Sequence, residues 1–180
     1  MKRVRYYGYV GTVAGLLLTC GCMTRLCRYD VRISADPDLA NASGKYPPVE
    51  VHAVVLNPTD SKVMASRSVT KYWEQGRRPD IYENRKRRLF FGEEKGIDHT
   101  ISYRDAMWTS ANRIEEPWLW LSADLPGMYQ DQAEDPRRLS VPLARTRWWY
   151  RRLHHLNIGL SRGGLYVRPP DAAQARADEP

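Results

Sequence analysis

The chain has 180 residues, with 28 Lys and Arg against 21 Asp and Glu, and a formal net charge of +7. That length suits one domain with a real core, and so modest a basic surplus does not by itself single out a polyanionic partner. The three cysteines, Cys20, Cys22 and Cys27, all stand near the N-terminus, which excludes a disulfide framework for the rest of the chain.

The chain begins as an export signal does. Lys2, Arg3 and Arg5 form a positive cluster, an uncharged stretch runs from Tyr6 to Gly21 with its most apolar part at Val13 to Leu18, and charge returns at Arg25. A retained single span is the alternative, but a helix crossing a bilayer needs roughly 20 apolar residues and this stretch is shorter. The segment Leu18-Thr19-Cys20-Gly21-Cys22 resembles the lipobox of bacterial lipoproteins, in which a cysteine after a small residue is acylated and the peptide is cut just before it. Cys22, preceded by Gly21, fits best; Cys20, preceded by Thr19, is the other candidate. Several acyl chains on one residue make an anchor durable where a single chain is marginal. The resemblance also implies an outer-membrane destination on the periplasmic face, because Met23 and not an aspartate follows the cysteine.

The expected organisation is therefore a signal peptide over 1–21, a lipidated tether over 22–28, a β-rich domain over 29–170 and a flexible tail over 171–180, rich in Ala, Pro and charge. Cleavage leaves 159 residues with a net charge of about +4, since Lys2, Arg3 and Arg5 leave with the signal. Export argues against nucleic acid as a partner, despite the interleaved Arg and aromatics. Anionic headgroups or an acidic protein fit better. Only Cys27 remains as a thiol. Cys20-x-Cys22 has no His or Cys nearby at ligand spacing, so no metal site and no cofactor is expected.

Tyr29, Val31, Ile33 and Ala35 alternate with Asp30, Arg32 and Ser34, the pattern of a half-buried strand stopped by Asp36-Pro37-Asp38. Residues 36–48 read as an ordered loop. Val49 to Leu56 is the next strand, apolar on both faces at its far end and hence central. Asn57-Pro58-Thr59-Asp60 turns the chain, and Asp60 is the expected cap of a helix from Ser61 to Trp73. The basic insert Gly76–Trp108, with Arg77, Arg78, Arg85, Lys86, Arg87 and Arg88, is either a solvated face or a contact surface. Leu89–Phe91 is short and apolar, and Ile101 and Tyr103 alternate as an edge strand would. Trp118-Leu119-Trp120-Leu121 is a buried strand ended by Pro126-Gly127, and 128–138 is a polar loop. Leu139, Val141 and Leu143 form an edge strand, since Pro142 cannot donate to a ladder. Trp148-Trp149-Tyr150 follows. Asn157–Leu160 and Leu165–Val167 make a hairpin about Arg162-Gly163-Gly164. Seven or so short strands with one or two short helices and no internal repeat predict a two-sheet antiparallel β-sandwich.

No catalytic residues are expected, and the chain reads as a non-enzyme. His154 and His155 are adjacent, so on a strand they face opposite ways. No nucleophile elbow or phosphate loop occurs, although carboxylates such as Glu93-Glu94 or Glu115-Glu116 could converge only through the fold. A binding module is the alternative class. Six tryptophans and eleven tyrosines against two phenylalanines give large apolar area with polar handles, and Trp118, Trp120, Trp148 and Trp149 would be the platform for a glycan or cell-wall fragment.

Val31 to Asn41, then Ser43-Gly44 and Pro47-Pro48-Val49-Glu50-Val51, resemble the opening of the type VI secretion outer-membrane lipoproteins, the TssJ family. A strand ends in a small-residue and Asx/Pro turn, an Asn- and Gly-containing loop follows, and a Pro-Val strand leads through a leucine, here Leu56, into a polar helix. The resemblance covers residues 18–70, and Tyr103-Arg104-Asp105 is similar to a later step of that family. It implies a transthyretin-like sandwich and a structural role, tethering the membrane complex of a secretion machine to the outer membrane. It further implies that the periplasmic domain of a TssM-type inner-membrane partner docks on the loop between the first two strands. Within that loop Asp36, Asp38, Asn41 and Lys45 are the contact candidates. The same residues would also serve as plain turn chemistry.

Overall fold

Alternation decides the first long strand. A computed structural model describes residues 24–74, 80–127, 129, 134–147 and 153–169, and in it β2 (Arg28–Ala35) buries Tyr29, Val31, Ile33 and Ala35 while its even-numbered residues face outward. The next strand, β3 (Val49–Leu56), is buried along nearly its whole length. It lies between β4 (Lys86–Phe91) and β6 (Trp118–Ala123), and β7 (Arg138–Pro142) closes that sheet at its edge, where Pro142 is tolerated. The second sheet runs β10–β9–β2–β5, with β5 (Asp98–Ile101), β9 (Leu153–Ser161) and β10 (Gly164–Val167). The two sheets face each other across a core that includes Val31, Ile33, Val51, Ala53, Val55, Leu119, Leu121, Ile158 and Leu160. Each fully buried Val, Leu or Ile there contributes about 1.5–3 kcal/mol, so this layer holds the fold together.

The protein is thus mainly β, a two-sheet sandwich as the alternation implies, and pairing is antiparallel throughout except between β2 and β9. Those two run parallel over Arg28–Ala35 and Leu153–Leu160. A third, two-stranded ribbon joins β1 (Thr24–Leu26) to β8 (Arg145–Arg147), with Thr24 opposite Arg147. Within the segment expected as a tether over 22–28, Thr24–Leu26 and Arg28 are paired in strands.

The helical segment differs from expectation in two ways. Asn57, not Asp60, is the cap: its side-chain oxygen accepts the Asp60 amide at 2.7 Å. Pro58 then occupies the first turn of α1 (Pro58–Ser66), where its missing N–H is no loss. The chain leaves the helical region at Arg67 and resumes as α2 (Val69–Glu74), so the expected single helix is two. A third short helix, α3 (Ala106–Ala111), is capped by Asp105, which accepts the Met107 amide at 2.9 Å. Asp105 also takes the Arg87 guanidinium at 2.6 and 2.7 Å.

The basic insert is therefore not a uniform solvated face. Lys86 is 5% exposed and its ammonium meets Glu83 at 3.1 Å, while Arg88 meets the same carboxylate at 2.9 Å. Arg77 and Arg78 lie outside the described residues, as do Trp148, Trp149, Tyr150 and the segments 1–23 and 170–180 with Cys20 and Cys22. Cys27 is a buried free thiol, and burial raises its pKa. The segment before β7, expected as a polar loop, hides an ion pair. The Arg137 guanidinium holds both carboxylate oxygens of Asp135, at 3.0 and 2.7 Å, and adds a bond to Thr70.

Strand directions give the sandwich two distinct poles. Where β2 begins lie the β1–β8 ribbon, α3 and the start of β6; where β2 ends lie the 36–48 loop, the β4–β5 turn and the β9–β10 turn. β2 spans eight residues, which at about 3.3 Å each separates the poles by roughly 25 Å.

Candidate partner-docking site

The loop from Asp36 to Tyr46 sits at the far pole and is ordered by its own sequence. Pro37–Leu39 forms one 3-10 turn, and Leu39 drops into the core at 4% exposure, pinning the loop from below. Asn41 then organises the tip. Its side-chain oxygen accepts the amides of Ser43 and Lys45 at 2.9 and 3.0 Å, and its carbonyl accepts the Gly44 amide. Gly44 has φ +77°, the left-handed region that a β-carbon disfavours. Lys45 reaches out to Glu93 at 3.3 Å, with both side chains largely exposed.

The four expected contact residues therefore have different environments. Asp38 and Lys45 are exposed and carry opposite charges, and Asn41 is exposed but spends its oxygen on the turn. Asp36 is turned inward: it accepts the Tyr166 hydroxyl at 2.6 Å and pairs with the Arg168 guanidinium. That carboxylate raises the pKa of the Tyr166 phenol, chiefly through the hydrogen bond. Arg168 also bonds the Ser34 carbonyl at 3.1 Å. Asp36 thus fixes where the loop leaves the sheet, and it presents little of its own charge to a partner.

Three residues that the sequence did not point to complete the site. Arg162, in the β9–β10 turn, donates its amide to Asp38 at 3.3 Å and its guanidinium to the Ala40 carbonyl at 3.0 Å. Its own carbonyl accepts the Tyr129 hydroxyl. Tyr166 and Arg168 brace Asp36. All three come from beyond residue 160, and only the Gly163-Gly164 turn hinted that a hairpin ended there. Beside the loop, on the outer face of the β10–β9–β2–β5 sheet, lies an open groove of about 520 Å³ lined by Arg32, Ser34, Asp36, Asp98, Tyr166 and Arg168, among others. Arg32 faces Asp98 across it at 3.4 Å, and Asp98 is held below its usual pKa first by a hydrogen bond from Ser34 and then by Arg32. Loop and groove together present a charge-patterned relief, with Asp38, Lys45, Glu93, Arg32 and Asp98 exposed on it.

The tryptophan platform does not form on β6. Trp120 is 2% exposed on the outer face of its sheet, packed with Val54, Leu56 and Met64 and edge-on to Tyr72 at 5.3 Å. His52 lies beside it, bonded to Glu50 through Nε2 at 2.8 Å and to the Tyr72 hydroxyl through Nδ1. Trp118 is only partly covered, but with Trp120 sealed under the helices the two offer no stacking surface together. His154 stacks on Tyr29 at 5.2 Å while His155 is exposed, the opposite facing that adjacency on a strand requires. Among the described residues no group of three His, Cys, Asp or Glu side chains could hold a metal ion, and no helix is long and apolar enough to cross a membrane.

Neither a family model nor a curated protein matches the sequence. Solved structures do resemble the fold. Lip of Serratia marcescens, a membrane-bound component of the type VI secretion system, superposes with a TM-score of 0.50 at 15% identity, covering 81% of this chain and 99% of that one. A chain in the structure of the type VI secretion TssM C-terminal domain from EAEC gives 0.50 at 13% identity, with 81% and 99% covered. A chain of a type VI membrane complex gives 0.50 at 14% identity, with 78% and 97% covered. At these identities the likeness establishes a shared fold, and it extends over nearly the whole of each compared chain.

Proposed function

We propose that this chain is a non-enzymatic lipoprotein scaffold of a type VI-like secretion membrane complex, anchored through acylated Cys22 in the outer membrane and docking a TssM-type periplasmic domain on its 36–46 loop. In this reading residues 1–21 are a cleaved signal and 171–180 a flexible tail. The observation that carries it is the polarity of the sandwich. The chain enters the fold at Thr24, two residues after Cys22, and β2 leads straight from that pole to the loop at the other. A protein that holds a bilayer at one end and a partner at the other needs that arrangement. The shared fold with membrane-bound type VI components supports the same reading.

The mechanism is bivalent. Acyl chains confine the protein to the membrane, and confinement raises the effective concentration of the loop for its partner, so the loop contact itself need not be tight. Asp38, Lys45 and Arg162 offer the charge pattern, while Asp36 and Asn41 hold the backbone that presents it. Co-purification of a TssM-type periplasmic domain from bacterial membranes tests both halves. Cys22→Ser lowers recovery of the membrane complex while the isolated domains still bind. Asp38→Lys with Lys45→Glu lowers binding in both settings. Full assembly by Cys22→Ser refutes the anchor, and unchanged binding by the loop variant refutes the docking site.

A further inference from the structure

We infer that the pole carrying the β1–β8 ribbon docks directly on an anionic bilayer surface, with Arg25, Arg28, Arg104 and Arg113 as the residues that meet the headgroups. This rests on acylation of Cys22 and goes beyond it, since an anchored domain could equally hang free of the bilayer on a long leash.

The leash here is too short for that. Thr24 is paired with Arg147, and only Met23 separates it from Cys22. At no more than about 3.6 Å per residue, the Cα of the acylated residue lies within roughly 7 Å of the ribbon. That distance is inside the Debye length of about 8 Å at physiological salt, so charges on the ribbon feel the headgroups.

The pole is built to use that proximity. Arg25 on β1, Arg104 after β5 and Arg113 after α3 are exposed. Arg28 and Arg104 sit over the same Tyr103 ring, 5.2 and 5.3 Å from its centroid, and Arg104 also donates to the Tyr103 hydroxyl. Two guanidinium groups thereby share one aromatic support. The Asn112 side-chain oxygen accepts the Leu26 amide at 2.9 Å, which fixes the segment carrying Arg113 against β1. Arg145 is not counted, because its guanidinium is occupied by the carbonyls of Asn112 and Ile114.

Among the described residues the acidic groups of this pole are Glu115 and Glu116, which are exposed, with Asp30 engaged by the Tyr103 amide, Asp60 by the Asn57 side chain and Asp105 paired with Arg87. The balance is positive. At the far pole it is reversed: Asp38, Glu93, Glu94 and Asp124 are exposed against Lys45, Lys95 and Arg162. An anionic surface pulls one end of such a molecule and repels the other, so docking would orient the 36–46 loop away from the membrane.

Hydrogen–deuterium exchange on the mature protein, purified from membranes and reconstituted in vesicles, tests this. Vesicles of phosphatidylcholine alone are compared with vesicles in which a third of the lipid is phosphatidylglycerol, and intact mass establishes acylation of the same sample. The expected result is severalfold slower exchange at residues 24–28 and 103–114 on the anionic vesicles, lost at high salt and lost in Arg25→Glu/Arg113→Glu. Both replaced residues are exposed, so the variant retains the fold, which its thermal melt verifies. Lys45→Glu at the far pole leaves the protection unchanged. Equal exchange on both vesicles by an acylated protein overturns the docking alone. An unacylated mass overturns the anchor and the docking with it.

Discussion

Acidification should loosen the outer face of the β3 sheet through one histidine. His52 is 9% exposed and faces Glu50, Tyr72, Trp73, Lys86 and Arg88. Its Nε2 meets a carboxylate that can only accept, so that nitrogen carries the proton, and Nδ1 receives the Tyr72 hydroxyl hydrogen. This arrangement is satisfied by the neutral ring. Burial lowers the pKa below 6.5 despite the opposing pull of Glu50, with Lys86 and Arg88 adding repulsion. The sign follows: the unfolded chain binds this proton more readily than the folded one, so stability is constant above the unfolded value and falls as pH drops through it. An unfolded histidine near 6.5 that stays neutral when folded costs at most about 1.4 kcal/mol on going from about pH 7.5 to about pH 5.5. Urea melts at the two pH values read this as a midpoint shift of up to about 1 M. His52→Gln should be less stable at the higher pH, by about 1–3 kcal/mol for the disrupted bonds, but should lose less on acidification. If His52→Gln loses as much on acidification as the native chain, the linkage is not at His52 and the reasoning fails.

Three further outcomes follow from local geometry. Asn57→Ala should cost about 1 kcal/mol through loss of the α1 cap, measured by chemical denaturation. Gly164 has φ +128°, and a β-carbon there would stand 2.3 Å from the Pro136 carbonyl oxygen, which also accepts the Leu165 amide. Gly164→Ala should therefore destabilise by about 2–4 kcal/mol in a urea melt, since backbone must move as well as strain. Asp36→Asn should cost about 1–2 kcal/mol as Arg168 loses its charged acceptor. Limited proteolysis should then cut faster within 36–46 than in the native protein.

What the sequence made legible was period and punctuation. The alternation of β2, the doubly apolar end of β3, the edge position forced by Pro142 and the β9–β10 hairpin all follow from side chains close in the chain. The parallel pairing of β2 with β9 was not legible, because alternation says which face is buried and nothing about which distant strand lies alongside. The cap was misassigned for a similar reason: Asn57 and Asp60 are both capping residues, and Pro58 at the first helical position was the clue that favours Asn57. The loop was legible as an ordered turn. The inward engagement of Asp36 was not, since Tyr166 and Arg168 lie some 130 residues away. Trp120 looked like a platform residue because composition cannot tell a ligand surface from a sheet face roofed by helices.

The position of β2 has a mechanical consequence. Under the proposed arrangement, tension between bilayer and partner enters through the β1–β8 ribbon, runs along this strand and leaves at its C-terminal end. β2 is bonded on both flanks, to β9 over its whole length and to β5 over Val31–Ser34. Pulling along such a strand loads many ladder bonds in shear at the same moment, whereas pulling an edge strand sideways would peel them one by one. Rupture under load is governed by the unfolding barrier and not by equilibrium stability, so the strand that links membrane to loop sits where a tension-bearing member should be. Most of the remaining sheet stands outside the line of force and acts as its clamp.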